Sequence, residues 1–92
     1  MNQPPPKIKR VHFEVAEKVE VDGFTLPKGR KYNGYSRTLG VYYMGQPQWQ
    51  EPDYFIELTK DDLKALGSEG EGLEIIPTQA VKAGKIVVKH TP

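Results

Sequence analysis

The sequence predicts a mostly β domain of the α+β class, with about six short strands and one short helix. Three observations carry that prediction. Apolar and polar residues alternate strictly along several stretches, turn-forming dipeptides recur at ~8–12-residue intervals, and one segment alone has helix start and stop signals. Such spacing favours a small antiparallel β-barrel, SH3-like or OB-like and partly open, with the helix capping one end. The alternative is a single antiparallel sheet with the helix packed on one face.

The elements follow in order. Residues 1–7 are expected to form a disordered tail, because Pro4, Pro5 and Pro6 fix φ and remove amide donors. Residues 8–89 make the single domain and 90–92 fray. Val11, Phe13 and Val15 face one way and Arg10, His12 and Glu14 the other. After Ala16-Glu17 the parity resumes with Val19 and Val21. Residues 8–22 are therefore one bent strand or two short ones, a choice that decides whether a barrel closes. Asp22-Gly23 supplies a turn, Phe24 to Leu26 a short extended piece, and Pro27-Lys28-Gly29 a second turn. Asn33-Gly34 is predicted to be a type I′ hairpin turn.

Leu39, Val41 and Tyr43 alternate again, predicting a strand to Met44 with Tyr43 in the core and Tyr42 facing out. Gly45 to Pro52 is a Gln- and Pro-rich loop that carries the single tryptophan, Trp49. Tyr54, Ile56 and Leu58 mark the next strand. Thr59 then has the character of a helix N-cap with Asp61 and Asp62 in the first turn, Leu63 and Leu66 share one face, and Gly67 is the stop. Leu73 to Ile76 and Ile86 to Lys89 are the last strands, separated by a connector over Thr78 to Lys82 and a turn at Ala83-Gly84.

Composition narrows the function classes. Ninety-two residues suit one domain with a modest core, and 37% hydrophobic against 27% charged residues is the balance of a folded chain. Cysteine is absent, so there is no disulfide framework and no thiolate metal site. The polar, proline-rich start lacks the apolar core of a signal peptide, and no run approaches the ~20 apolar residues of a membrane span. A cytoplasmic protein with no membrane partner is expected.

The constellations of catalysis are missing. The histidines, His12 and His90, fall on an outward strand position and in the frayed end, so neither pairs with a serine in a tuned site. Gly29 to Ser36 lacks the lysine and the following helix of a phosphate-binding loop. Glu69 and Glu71 between glycines would repel a phosphate, and they lack the ligand ladder of a calcium loop. No enzyme activity, cofactor or metal site is expected, and the sequence predicts a small binding module.

Charge distribution suggests where it binds. Net charge is +1, but residues 1–40 hold eight Lys/Arg against four acids and residues 41–81 hold two against eight. Lys28, Arg30, Lys31, Tyr32, Tyr35 and Arg37 interleave cations with aromatic rings. Cations neutralise phosphates and rings stack on bases, so these six residues are the candidate nucleic-acid-binding set. The alternative is a protein-binding adaptor or inhibitor that uses an acidic side, with Trp49, Tyr54, Glu51, Asp53, Asp61 and Asp62 as its contacts. A third reading is a structural subunit whose sheet edges pair with copies of itself into a homodimer, because a limited core gains from burying more surface.

Overall fold

The computed structural model describes residues 3–90. In chain order its elements are β1 (Lys7–Val15), β2 (Val19–Val21), β3 (Phe24–Leu26), β4 (Lys31–Thr38), β5 (Gly40–Tyr43), β6 (Gln46–Trp49), β7 (Asp53–Thr59), α1 (Lys60–Ala65), β8 (Gly72–Ile75), α2 (Thr78–Lys82) and β9 (Ile86–His90). Five strands form one antiparallel sheet in the order β8-β7-β4-β1-β9, and β2-β3 and β5-β6 are separate two-stranded hairpins.

Period-two alternation gives the main sheet one apolar face. Val11 lies opposite Gly34, Gly34 opposite Ile56, and Ile56 opposite Ile75. Phe13 sits between Tyr32 and Val88, and Val15 beside Ile86. Leu63 of α1, Ala80 of α2, and Val21 and Leu26 of the β2–β3 hairpin join the same buried cluster. Each fully buried aliphatic or aromatic side chain there contributes about 1.5–3 kcal/mol of transfer free energy. The class is α+β and mostly β, as the alternation predicts.

Among the described residues the sheet is open, however, and no barrel closes: β8 and β9 are its two edges, and neither pairs there with a further strand. The reason lies just after Val15. The N–H groups of Ala16 and Glu17 both donate to the Lys85 carbonyl, at 2.8 and 3.2 Å, which ends β1. Residues 8–22 are thus two strands, and β2 is spent on a local hairpin with β3. Asp22 and Gly23, with φ of +50° and +85°, make its turn. The Asp22 carboxylate accepts from the Ile76 N–H at 2.7 Å and ties that turn to the end of β8.

Three local expectations are corrected. Asn33-Gly34 is no turn but the middle of β4, with Asn33 outward and Gly34 against the core. A Cβ on Gly34 would lie 1.9 Å from the Phe55 carbonyl oxygen and 2.8 Å from the Phe13 ring, so glycine is there for close strand approach. Residues 46–49 are strand β6 and not loop. Thr78 to Lys82 is a second helix; its five residues follow Pro77 with no side-chain cap, which leaves little helix signal. The predicted first helix forms as expected. Thr59 and Asp62 make a reciprocal capping box, and Gly67 (φ +78°) with Ser68 closes the end by donating to Lys64 and Leu63.

The tails also differ from expectation. Lys7 opens β1, His90 closes β9, and Pro4 is buried beside Gly40 and Trp49. Met1, Asn2, Thr91 and Pro92, the outer parts of the expected tails, lie outside the described residues. No helix among the described residues is long and apolar enough to cross a membrane.

Candidate interaction surface

The six residues of the basic-aromatic set do not share one surface. Tyr32 is 2% exposed and packs in the core opposite Phe13, on the far side of the sheet from Tyr35. A one-residue step along a strand reverses the face, so Tyr32 and Tyr35 cannot both meet a ligand. Lys28 and Arg30 are exposed in the β3–β4 loop at one end of β4, whereas Arg37 lies six residues past Lys31, roughly 20 Å along the strand. Lys31 faces Glu14, which Lys89 also approaches at 3.2 Å.

Tyr35 and Arg37 instead build a stack on the solvent face of the sheet. The Tyr35 ring lies parallel to Phe55, with centroids 4.9 Å apart, and the Arg37 guanidinium sits 5.0 Å from the Phe55 centroid. Between them they leave Phe55 6% exposed although it points away from the core. The Tyr35 hydroxyl donates to Glu74 at 2.8 Å, and that hydrogen bond, which needs the neutral phenol, holds the Tyr35 pKa above its ordinary 10. Arg10 pairs with Glu57, and His12 Nδ1 meets Asn33 Oδ1 at 2.7 Å. Arg10, His12, Asn33 and Glu57 line an open depression of about 520 Å³, and the Tyr35–Phe55–Arg37 stack lies outside it.

The acidic set is divided as well. Asp61 and Asp62 lie on α1 beyond the end of β7, and Glu51 and Asp53 at its start, about 20 Å away along the strand. Asp62 is occupied by the capping box. Glu51 pairs with Lys82 at 3.1 Å. Tyr54 is half-buried, its ring edge-on to Phe13 at 6.2 Å, and its N–H donates to Thr78 Oγ1. Ser36 is buried on the core side while His12 is exposed on the other, and no group of three His, Asp or Glu side chains among the described residues is placed to hold a metal ion.

One residue of the alternative set leads to a different surface. Trp49 ends β6 and covers Gly40 of β5, the ring lying 2.7 Å from where a Gly40 Cβ would be. Pro4 closes on the same glycine, and Lys7 Nζ sits 4.1 Å from the Trp49 centroid. Beyond this anchor the β5–β6 hairpin stands clear of the core. Tyr42 is 51% exposed, Tyr43 65% and Met44 85%, with Leu39 and Val41 also exposed. Tyr43, expected in the core by its parity, is outside because the chain leaves the main sheet after Thr38. The molecule measures 49 × 27 × 27 Å, longer than the ~30 Å of its longest strand.

The hairpin turn is Met44-Gly45, with φ of +53° and +78°. Type I′ turns favour Asn, Asp or Gly at both central positions, so methionine there is a local exception. Its side chain has no packing role that would account for it. Alternation alone could not find this surface, because it reads Val41 and Tyr43 as core. A legible signal did exist: no charged residue occurs between Arg37 and Glu51, an unusual run for an exposed element. Comparison with family models, curated proteins and solved structures finds no match to this chain.

Proposed function

We propose that this chain is a non-catalytic, protein-binding module that docks through the β5–β6 hairpin. The carrying observation is an uncharged, projecting hairpin that exposes Val41, Tyr42, Tyr43 and Met44 together. A contiguous apolar patch on a small domain marks an interaction site, and tyrosine and tryptophan supply most of the affinity of such sites. Methionine adapts its shape to a partner, which gives Met44 a reason to occupy a turn position that asparagine would fill with less strain. Against a nucleic-acid role stand the separation of Arg37 from Lys28, Arg30 and Lys31 and the burial of Tyr32. A cytoplasmic setting suits a cysteine-free chain of this kind.

The experiment compares the wild-type chain with a Tyr43→Ser/Met44→Asn variant, both folded by circular dichroism, in affinity capture and in oligonucleotide titration. Capture of a stoichiometric protein by the wild type and its loss in the variant is the expected result. Equal capture by both, or oligonucleotide binding that falls steeply with salt, would overturn the reading.

A further inference from the structure

The sheet edges of this chain are not equally guarded. β8 carries Glu74 and follows Glu69 and Glu71, while β9 carries Lys89 and follows Lys85. Two copies meeting along either edge would bring like charges together. β6 contains Pro47, which has no amide donor to offer a new strand. β5 has neither device, and no described strand pairs with its other edge.

The phase of the hairpin ladder says which groups that edge presents. The Gln50 N–H donates to the Leu39 carbonyl at 2.8 Å, and the register runs Gly40↔Trp49, Val41↔Gln48, Tyr42↔Pro47, Tyr43↔Gln46. Hydrogen-bonded and non-bonded pairs alternate in an antiparallel ladder. Leu39, Val41 and Tyr43 therefore turn their main-chain groups toward β6, and Tyr42 turns its N–H and C=O outward. Pro47 stands opposite Tyr42, where the hairpin needs no donor and only the outer edge of β6 loses one.

We infer that this edge pairs with a second copy of the chain: two β5 strands meet antiparallel about a two-fold axis beside Tyr42, each Tyr42 exchanging N–H···O=C bonds with the other. The inference rests on the docking role of the hairpin and names its partner. A two-fold contact sets each patch against itself, which repels wherever the patch is charged. Between Arg37 and Glu51 nothing is charged. Two strands alone are marginal in water, and the pairing makes a four-stranded β6-β5-β5-β6 sheet, past the three-strand threshold for independent stability. Only four residues long, the edge buries less than about 1,200 Å² in total, so the dimer is weak and dissociates on dilution.

The test is sedimentation of the full chain over roughly two decades of concentration, with amide exchange followed in parallel. The mass is expected to rise from monomer toward dimer while the Tyr42 amide gains protection. Tyr42→Pro removes the outward donor and Tyr42→Lys places two cations at the axis; each should weaken the dimer by roughly tenfold or more. Gln48→Lys, whose main chain faces β5 within the hairpin, should change it by less than about threefold. Because proline also constrains the backbone of the hairpin itself, the lysine variant is the deciding one, with its sheet checked by circular dichroism. A concentration-independent monomer overturns the inference, as does a dimer indifferent to Tyr42→Lys. A constant monomer whose hairpin still governs capture of another protein removes the dimer and leaves the docking role. A constant monomer with capture indifferent to the hairpin removes both.

Discussion

Replacing Gly34 with alanine tests the packing at the centre of the sheet. The added Cβ would lie 1.9 Å from the Phe55 carbonyl oxygen and 2.8 Å from the Phe13 ring, against the 3.4–4 Å of ordinary contact. The first neighbour is backbone and cannot rotate aside, so β4 and β7 must separate by more than an ångström. Forced packing costs about 1–3 kcal/mol, and two weakened ladder hydrogen bonds add about 1 kcal/mol each. The sum, about 3–5 kcal/mol, approaches the whole stability of a small domain. For this chain length it corresponds to a fall in melting temperature of about 12 °C or more. Gly45→Ala is the control. Its Cβ meets nothing within 4 Å, and only the left-handed backbone (φ +78°) opposes it, at about 1–2 kcal/mol. Thermal and urea unfolding followed by far-ultraviolet circular dichroism measure both. If Gly34→Ala lost less than about 2 kcal/mol, or no more than Gly45→Ala, Gly34 would be a conformational glycine and the close approach of β4 to β7 would be wrong.

Three other expectations follow from side-chain placement. Tyr32→Phe removes a buried hydroxyl that has no hydrogen-bond partner, so stability in urea should stay level or rise by up to about 1 kcal/mol, and any ligand binding should be unchanged. Thr59→Ala removes the reciprocal cap of α1 and should cost about 1 kcal/mol by the same assay, loosening Leu63 from the core. Tyr35 should ionise above its ordinary 10 in a spectrophotometric titration read as the difference from Tyr35→Phe, and Glu74→Gln should bring it back toward 10. The sign follows from the raised value: the folded state holds this proton more tightly than the unfolded one. The contribution to stability is complete below pH 10 and is lost as pH rises through the folded pKa.

Much of the fold was legible because it depends on short-range rules. Alternation over Val11 to Val15 and over Tyr54 to Leu58 specifies which side of a strand is apolar, whatever that strand pairs with. Thr59, Asp62 and Gly67 specify a helix through contacts with their own neighbours, and Asp22-Gly23 specifies a turn by its backbone freedom. Tertiary structure decided the rest. Asn33-Gly34 has the local chemistry of a turn, yet Phe13 and the Phe55 carbonyl need the empty space at Gly34, and those partners are distant in sequence. Residues 46–49 have poor strand propensity and become a strand only because β5 lies alongside them. The candidate surfaces divide in the same way. Cations and rings close in sequence from Lys28 to Arg37 separate onto two faces and two ends of β4, since neighbouring strand residues point oppositely. Residue chemistry by itself determined a small, mostly β, cysteine-free domain with an uncharged run from Thr38 to Gln50. That the run stands outside the core, with the main-chain groups of Tyr42 turned outward, was decided by where the main sheet stops. Burial depends on which long-range partners are within reach, and after Thr38 no strand of the main sheet reaches the hairpin.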